Sequence, residues 1–340
     1  MKFHPKRLMA AFACVILAAA TSTAQAEIGD IKVASGPSIG YLPYYVMEHH
    51  KLFEKHAKAA GLGDVKASYV AITGGAAMND ALLSGALEFS SVAVPAFLTL
   101  WSKTRGTAQE VKAASALNSQ PVFMNTNNPN IKSVKDLTPK DRIAVTAVKV
   151  SVHAIIVQMA AAQAFGEANF AQLDSITVGL PHPTARDALL SKSGDVTVHM
   201  ATEPFAAQEL KSPGIHSVLS SYDVLGGPAT VSLVVATSKF RQANPKTYAA
   251  FMAGLDEAIK LIDKDKKASA EIFVKATKSK ASPAEVMEGL EDKKNPITFS
   301  TTPLHVMRFA DFMAKAKTIQ NKPASWKDLF FPEVHSLPGS

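Results

Sequence analysis

Ile31-Lys32-Val33-Ala34-Ser35-Gly36-Pro37-Ser38-Ile39-Gly40-Tyr41 is the stretch that most directly indicates the fold. Its first four residues have the length and composition of a short strand, and Gly36-Pro37-Ser38 has turn chemistry. Apolar residues then recur at helical spacing from Tyr44 to Ala57. The stretch therefore predicts a strand that passes through a joint of small residues into a helix, the unit from which α/β sheets are built.

The same alternation continues along most of the chain and predicts an α/β fold. Further strands are predicted at 65–72, 87–92, 111–117, 142–146, 173–178, 196–200, 215–220 and 230–236, with helices at 76–83, 95–101, 151–164, 183–190 and 204–210. Asn125 to Asn130 has the composition of a polar loop. From Lys239 onward the pattern is almost entirely helical.

The first 26 residues have the pattern of a signal peptide. Three basic residues precede an uncharged apolar run from Leu8 to Ala20, and the segment ends in Ala24-Gln25-Ala26. This apolar run is too short for a permanent membrane anchor. We expect cleavage after Ala26 and export to the periplasm.

Removal of this leader would change both the cysteine content and the charge. Cys14 is the only cysteine, so the mature chain would have no disulfide, no thiolate metal site and no thiol nucleophile. The basic surplus falls to 33 Lys and Arg against 29 Asp and Glu, because the leader holds three basic residues and no acidic one. A surplus this small does not indicate the dense basic stripe that nucleic-acid-binding proteins carry.

Candidate binding residues lie where the predicted strands pass into helices. In open α/β sheets, ligands bind outside the carboxyl ends of strands, where helix N-termini present free N–H groups. The first half of the chain offers three such joints, with Ser38 and Tyr41, then Thr73, Gly74 and Gly75, then Val94 and Pro95.

The second half repeats this arrangement with more polar residues. Ser151 is predicted to cap a helix, and His153 is expected in the first turn, facing out of the N-terminus. His182 and Glu203 occupy the next two joints. The sequence therefore predicts a ligand site shared by several strand-to-helix joints.

The order of these joints resembles the nitrate/sulfonate/taurine-type family of ABC-importer binding proteins, which includes thiamine-pyrimidine relatives. The resembling segments are Ile39–Pro43 with Leu52–Lys55, Gly74-Gly75 with Asp80–Phe89, Val134–Leu137, and the Ser-x-His pair Ser151 and His153. Leu83-Ser84-Gly85-Ala86-Leu87-Glu88-Phe89 is the most specific of them. The resemblance extends from about Ile31 to Leu210.

This resemblance implies a two-lobed periplasmic-binding-protein fold of type II, in which the lobes close over the ligand in the inter-lobe cleft (Venus-flytrap binding). Residues 27–118 plus 226–340 would form lobe 1, and 119–225 would form lobe 2. The resemblance also implies a monomer that delivers its ligand to ABC permease and ATPase subunits at the inner membrane. It implies capture without chemical change, so no catalytic residue, cofactor or metal ligand is expected.

The class of ligand stays open between an anion and a heteroaromatic ring. Ser38, Ser151, His153 and the helix N-termini would hold an oxyanion, with Lys149 or Arg186 balancing its charge. Alternatively, Tyr41, Tyr44, Tyr45 and Trp101 would stack on a pyrimidine that Glu203 recognises. Many anion-binding relatives have Ser-Gly-x-x-Glu at the second joint, whereas this chain has Gly74-Gly75-Ala76-Ala77-Met78. This smaller and less polar loop favours an organic acid, such as a sulfonate or carboxylate, that is bulkier than nitrate.

Other functions fit the sequence less well. Pyrimidine synthases and porphobilinogen deaminase share the fold but rely on cysteine, which the mature chain would lack. His49 and His50 are adjacent, so they point in different directions on a helix, and His182, His199 and His216 are scattered along the chain. A metal-capture role is therefore disfavoured. A sensing domain of the same fold would use the same cleft and stays an alternative.

Overall fold

The computed structural model describes residues 27–72, 75–191, 194–279 and 281–340. The predicted signal peptide and Cys14 lie outside these residues. None of the helices in this part of the chain is long and apolar enough to cross a membrane.

The strands form two larger sheets and one pair. They are β1 (Ile31–Ser35), β2 (Ala67–Ala71), β3 (Ser90–Ala93), β4 (Val111–Ser119), β5 (Phe123–Thr126), β6 (Ile143–Val145), β7 (Thr177–Gly179), β8 (Val198–Ala201), β9 (His216–Ser220), β10 (Thr230–Thr237) and β11 (Thr298–Phe299). The pair is β1-β2, one sheet has the order β11-β4-β10-β3, and the other has the order β7-β6-β8-β5-β9. A parallel bridge between Val33 and Phe89 connects the pair to the chain just before β3.

Helices cover the sheets and make up most of the C-terminal part. They are α1 (Leu42–His50), α2 (Leu52–Ala59), α3 (Gly75–Leu83), α4 (Val94–Thr104), α5 (Val152–Phe165), α6 (His182–Ser191), α7 (Phe205–Leu210), α8 (Ser221–Leu225), α9 (Ser238–Ala243), α10 (Pro245–Lys264), α11 (Lys266–Thr277), α12 (Pro283–Glu291), α13 (Val306–Lys315) and α14 (Trp326–Leu329). This mixed order confirms the predicted α/β class.

Two large hydrophobic cores support this arrangement. One packs α1, α2 and α10 against the β1-β2 pair and the four-stranded sheet. In this core the Phe89 and Phe251 rings stack with their centroids 3.9 Å apart. The other contains residues from both larger sheets and joins Phe97 of α4 to Ile156 of α5. The two sheets are therefore held together by packing as well as by the connecting chain.

The five-stranded sheet determines where the polar joints meet. Strands β6, β7 and β8 are parallel to one another, whereas β5 runs antiparallel to both β8 and β9. The carboxyl ends of three parallel strands lie at one edge, so the residues that follow them are brought together there. These residues are Thr146 after β6, His182 beyond β7 and Thr202 after β8.

Three details differ from the sequence prediction. The polar run at Asn125 is not entirely a loop, because Phe123–Thr126 is the strand β5 and both Asn125 and Thr126 are fully buried. The single helix predicted from Tyr44 to Ala57 is two helices, because Lys51 adopts a left-handed conformation with φ 51° and ends α1. The strand predicted at 173–178 is also shorter, because Asp174–Ile176 is a 3₁₀ turn and β7 begins at Thr177. The other long helices and strands lie within a few residues of their predicted positions.

Candidate functional site

The joint after β1 is compact and closed by an aromatic ring. Ser38 begins a 3₁₀ turn, Ile39–Tyr41, and its Oγ accepts a hydrogen bond from Gly40 N at 3.2 Å. The half-buried Tyr41 ring lies over Gly36, where a β-carbon would be only 3.0 Å from Tyr41 Cε2. Burial and then the neighbouring Tyr45 phenol raise the pKa of Tyr41 to about 12, so its hydroxyl keeps its proton at neutral pH.

This joint packs directly on the connection between the two larger sheets. Asn118 Nδ2 donates to Gly40 O at 2.8 Å, and a β-carbon at Gly40 would lie 2.9 Å from that nitrogen. Asn118 Oδ1 and Gln120 Oε1 are buried there without a hydrogen-bond partner among the described residues. The glycine therefore permits a close approach between the first joint and the chain that leads into β5.

The next two predicted joints of the first half precede α3 and α4. Thr73 and Gly74 lie outside the described residues, and Gly75 begins α3. Val94 and Pro95 begin α4, and both are buried. Val94 belongs to the hydrophobic core that joins the two sheets, so its side chain supports the helix start from the inside.

The α5 joint has a cap that the sequence predicts and a histidine that turns inward. Ser151 Oγ accepts from Ala154 N at 3.2 Å, and the Ser151 hydroxyl donates to Ala147 O at 2.7 Å. His153 does not face outward as expected, because its ring is only 7% exposed and its Nδ1 lies 2.9 Å from Thr146 Oγ1. His153 Nε2 has no hydrogen-bond partner among the described residues.

His182 joins His153 to a second buried histidine. The His153 and His182 rings are edge to face with centroids 4.8 Å apart, and His182 Nδ1 lies 2.9 Å from His199 Nε2. His182 Nε2 lies 3.3 Å from Thr202 Oγ1, and the Phe205 ring stacks on the imidazole at 5.3 Å. The structure thus groups histidines that are scattered along the sequence.

The His153 and His182 imidazoles are neutral at ordinary pH. Burial, followed by the charge of His199, lowers the pKa of His153 to about 3. Burial also lowers the pKa of His182 well below its usual range, with His153 and His199 adding to the effect. A neutral imidazole offers one N–H donor and one acceptor, so the cluster can hydrogen-bond a polar ligand without presenting a charge.

Glu203 is half-buried at the joint after β8. Its Oε2 accepts from Ala207 N at 3.1 Å, which fixes the carboxyl at the start of α7. Burial is the main reason that the pKa of Glu203 is raised to about 7; the Ala207 hydrogen bond lowers it, and the charges of Glu209, Asp292 and Glu288 raise it. The carboxyl therefore changes charge near neutral pH.

The aromatic residues that would stack on a heteroaromatic ligand do not form one surface. Tyr44 and Trp101 are each 1% exposed and belong to different hydrophobic cores. Tyr45 is half-buried and donates from its hydroxyl to Gly36 O at 2.9 Å. Of the four, Tyr41 alone lies over a joint with its ring partly exposed.

One cavity in the described part of the chain lies away from these joints. A cavity of about 510 Å³ lies beside α10 and is lined by Arg241, Tyr248, Met252 and Glu333 among others, but by none of the predicted site residues. In residues 27–72, 75–191, 194–279 and 281–340, no group of three or more His, Cys, Asp or Glu side chains is arranged to hold a metal ion.

Several residues of the cluster escape sequence reasoning. His199 and Asn125 lie within strands, and Glu209 lies on the buried side of α7 with 0% exposure. Thr202 directly follows β8 and is buried. A polar residue inside an otherwise apolar strand or on a buried helix face is the only sequence signal that these positions give.

Comparisons with known proteins agree on the fold. The chain matches the NMT1-like family over residues 24–277. Its structure is similar to the periplasmic aliphatic sulphonate-binding protein of Escherichia coli, with a TM-score of 0.67, 18% identity, and coverage of 90% of this chain and 92% of that one.

Two further solved structures extend the comparison. The alkanesulfonate-binding protein of Xanthomonas axonopodis pv. citri, bound to MOPS, has a TM-score of 0.68 and 16% identity over 87% of this chain and 96% of that one. The periplasmic nitrate-binding protein of Synechocystis has a TM-score of 0.66 and 14% identity over 85% and 81%. No curated protein has a significantly similar sequence. At these identities the likeness establishes the two-lobed, type II periplasmic-binding-protein fold.

Proposed function

From the premise that this chain belongs to the NMT1-like family, we propose that it is the periplasmic solute-binding component of an ABC importer and captures a small anion or organic acid. The solved structures that share its fold are named as sulphonate-, alkanesulfonate- and nitrate-binding proteins, which supports a binding role without catalysis. The protein would be exported with a signal peptide that is cleaved after Ala26, and it would act as a monomer. It would deliver its ligand to a permease and an ATPase at the inner membrane.

One observation carries the assignment to an anion. Three parallel strand ends of the five-stranded sheet converge on Thr146, His182 and Thr202, and the capped start of α5 lies beside them. Hydroxyls, neutral imidazole N–H groups and free helix amides are the donors that oxyanions require. The buried positions of Tyr44 and Trp101 leave little aromatic surface for a pyrimidine.

We place the ligand between two lobes with the boundaries expected from the sequence, 27–118 plus 226–340 and 119–225. All strands of the five-stranded sheet lie between Phe123 and Ser220, and all strands of the other sheet lie outside that interval. Ser38, Tyr41 and the Thr73-Gly74-Gly75 joint would face the ligand from the first lobe, above the supporting start of α4 at Val94 and Pro95. Ser151, His153, His182 and Glu203 would hold or support it from the second.

Ligand binding would then shift the protein from an open form toward a form in which the lobes are closed. The ligand favours the closed form only by as much as it binds that form more tightly. The permease would recognise the closed pair of lobes. This mechanism requires no chemical change in the ligand.

A thermal-shift panel on the protein from Glu27 onward tests the proposal. The panel contains nitrate, sulfate, taurine, ethanesulfonate, an aryl sulfonate, mono- and dicarboxylates, a pyrimidine and divalent metals. A ligand at about 100 times its dissociation constant should stabilise the fold by about 2.7 kcal/mol. Stabilisation by one class of anion would support the proposal. Stabilisation by the pyrimidine alone, or by a metal alone, would contradict it.

A further inference from the structure

A buried line of hydrogen bonds leads from inside the five-stranded sheet to its carboxyl edge. Asn125 Nδ2 donates to Glu209 Oε2 at 2.9 Å, and Glu209 Oε1 lies 2.5 Å from His199 Nδ1. His199 Nε2 lies 2.9 Å from His182 Nδ1. Glu209 and His199 are 0% and 1% exposed, whereas His182 is half-buried at the sheet edge. Two imidazoles therefore connect a fully buried carboxylate to the candidate site.

We propose that this line takes up one proton when an anion binds at His182, so that Glu209 and His199 act as positioning residues that turn His182 Nε2 into a hydrogen-bond donor. The inference rests on the proposed function, since it concerns how the same site holds its anion. It assigns roles to two buried residues that do not reach the edge of the sheet themselves.

The hydrogen-bond partners determine which nitrogens of His199 and His182 carry a hydrogen before proton uptake. Glu209 accepts, so His199 carries its hydrogen on Nδ1 and presents a lone pair at Nε2. His182 must then donate from Nδ1 to His199 Nε2. This leaves a lone pair on His182 Nε2, which accepts from the Thr202 hydroxyl. A lone pair directed toward the edge repels an anion.

Uptake of one proton reverses the hydrogen bond between His182 and His199 and makes His182 Nε2 a donor, whereas the bonds that Glu209 accepts from His199 and Asn125 keep their direction. The proton binds His182 Nε2, while the hydrogen on His182 Nδ1 passes to His199 Nε2. His199 then carries two N–H groups and a positive charge beside Glu209, and His182 stays neutral with its hydrogen on Nε2. One proton enters and none leaves, so the uptake is balanced. His182 Nε2–H now donates to the anion.

The surroundings determine where the added charge settles. His182 faces His153 of α5, His199 of β8, and the Phe205 ring, over which the Arg186 guanidinium lies at 5.7 Å. No carboxylate is within hydrogen-bond reach of His182 among the described residues, and burial keeps its pKa well below the usual range. His199 instead contacts the Glu209 carboxylate, whose charge also acts on Glu203. A buried imidazolium is stable only beside such an opposite charge.

The functional consequence is a pH-dependent affinity with a defined sign. If the bound state holds one more proton than the free state, anion affinity falls about tenfold for each pH unit above the transition of the line. Below that transition the affinity is constant. Binding is thus strongest in the acidic part of the range.

Nuclear magnetic resonance of protein labelled with ¹⁵N-histidine tests the line without any ligand. Spectra of the chain from Glu27 onward, recorded over a series of pH values, should show His182 changing from the Nδ1–H to the Nε2–H tautomer as the line takes up its proton. Glu209→Gln should shift this change by more than one pH unit to lower pH, or abolish it. Glu271→Gln, at an exposed position on α11, should leave it unchanged.

Failure of Glu209→Gln to fold would not end the test, because His182→Gln changes a half-buried residue. In that variant the His199 transition should persist, while ethanesulfonate binding should lose its pH dependence. A His182 tautomer that stays constant, or a His182 that itself becomes an imidazolium, would overturn the inference.

Calorimetry with ethanesulfonate separates this inference from the proposed function. In buffers of different ionisation enthalpy, at a pH above the transition of the free protein, the binding enthalpy should report about one proton taken up per anion. Binding with no proton uptake would refute the inference and leave the proposed function standing. A tautomer change in the free protein, combined with no binding by any anion of the panel, would refute the proposed function and the anion linkage together, while the proton line itself would stand.

Discussion

Glu203 and Gly289 are neighbours across the boundary between the two halves of the fold. A β-carbon at Gly289 would lie 3.5 Å from Glu203 Cγ, so α12 presents its backbone to this carboxyl. Nearby, Tyr222 donates to Pro296 O at 3.0 Å and Ser220 donates to Asn295 Oδ1 at 2.8 Å. The segment from α12 to β11 is therefore bound to the end of β9 and to α8 in the second half.

Glu203→Gln should flatten the dependence of stability on pH. The pKa of Glu203 is about 7 in the folded protein and near 4.5 in the unfolded chain, so its stabilising contribution is complete below about pH 4.5 and is lost as pH rises through about 7. Relative to wild type, the variant should gain about 2 kcal/mol between about pH 5 and about pH 8. Urea unfolding at both pH values measures this. The same gain in Glu271→Gln, or none in Glu203→Gln, would contradict the assignment.

Gly40→Ala should loosen the first joint. The added β-carbon would lie 2.9 Å from Asn118 Nδ2 and 3.1 Å from Gln120 Nε2, so the hydrogen bond from Asn118 to Gly40 O must lengthen or break. We expect a loss of about 1 kcal/mol in the free energy of unfolding, measured by urea denaturation. Gly194→Ala is the matched control, because its β-carbon would meet nothing closer than 3.8 Å. Equal effects of the two variants would refute the close-approach argument.

Ser151→Ala combined with His153→Ala should abolish binding of whichever anion gives the largest thermal shift. The double variant loses the cap of α5 and the imidazole that contacts Thr146 and His182. Thr237→Ala removes a comparable cap, from α9, and should cost about 1 kcal/mol of stability without affecting binding. Calorimetric titration of both proteins provides the comparison. An unchanged affinity in the double variant would show that the ligand lies elsewhere.

Phe89→Ala should be among the most destabilising substitutions in the first core. Phe89 is fully buried, stacks on Phe251 at 3.9 Å and contacts Phe240 edge to face at 5.3 Å. Removal of such a ring costs about 3–5 kcal/mol. Phe170→Ala, at a half-buried ring that contacts Phe312 at 5.9 Å, should cost less than half as much in the same unfolding measurement. Similar losses would show that the Phe89 site can collapse around the missing ring.

The sequence was most informative where periodicity and turn chemistry agreed. Ile31–Ser35 and Val152–Phe165 form the predicted strand and helix, because an apolar run before a glycine-rich joint, and an apolar run after a capping serine, each have one favourable local structure. The α/β class follows from the repetition of such units. The family resemblance added the two-lobed arrangement, which local patterns do not contain.

The site was harder to predict because its chemistry depends on contacts between distant strands. Asn125 was predicted in a polar loop, but in β5 its Nδ2 donates to Glu209, which lies 84 positions away. His182 and His199 are 17 positions apart and meet because β7 and β8 end at the same edge. Val94 lies at a correctly predicted joint, yet its side chain is buried in the core. Strand order decides such placements, and local sequence does not encode it.

The position of β10 also constrains the order in which the chain can fold. This strand lies between β3 and β4, although it begins only at Thr230, whereas β3 ends at Ala93 and β4 at Ser119. A chain that emerges from its N-terminus can complete the five-stranded sheet once Ser220 is available, while β3 and β4 still await their central partner. The four-stranded sheet, to which β3 and β4 belong, is therefore completed after the five-stranded sheet. The exposed edges of β3 and β4 would need protection during synthesis and export.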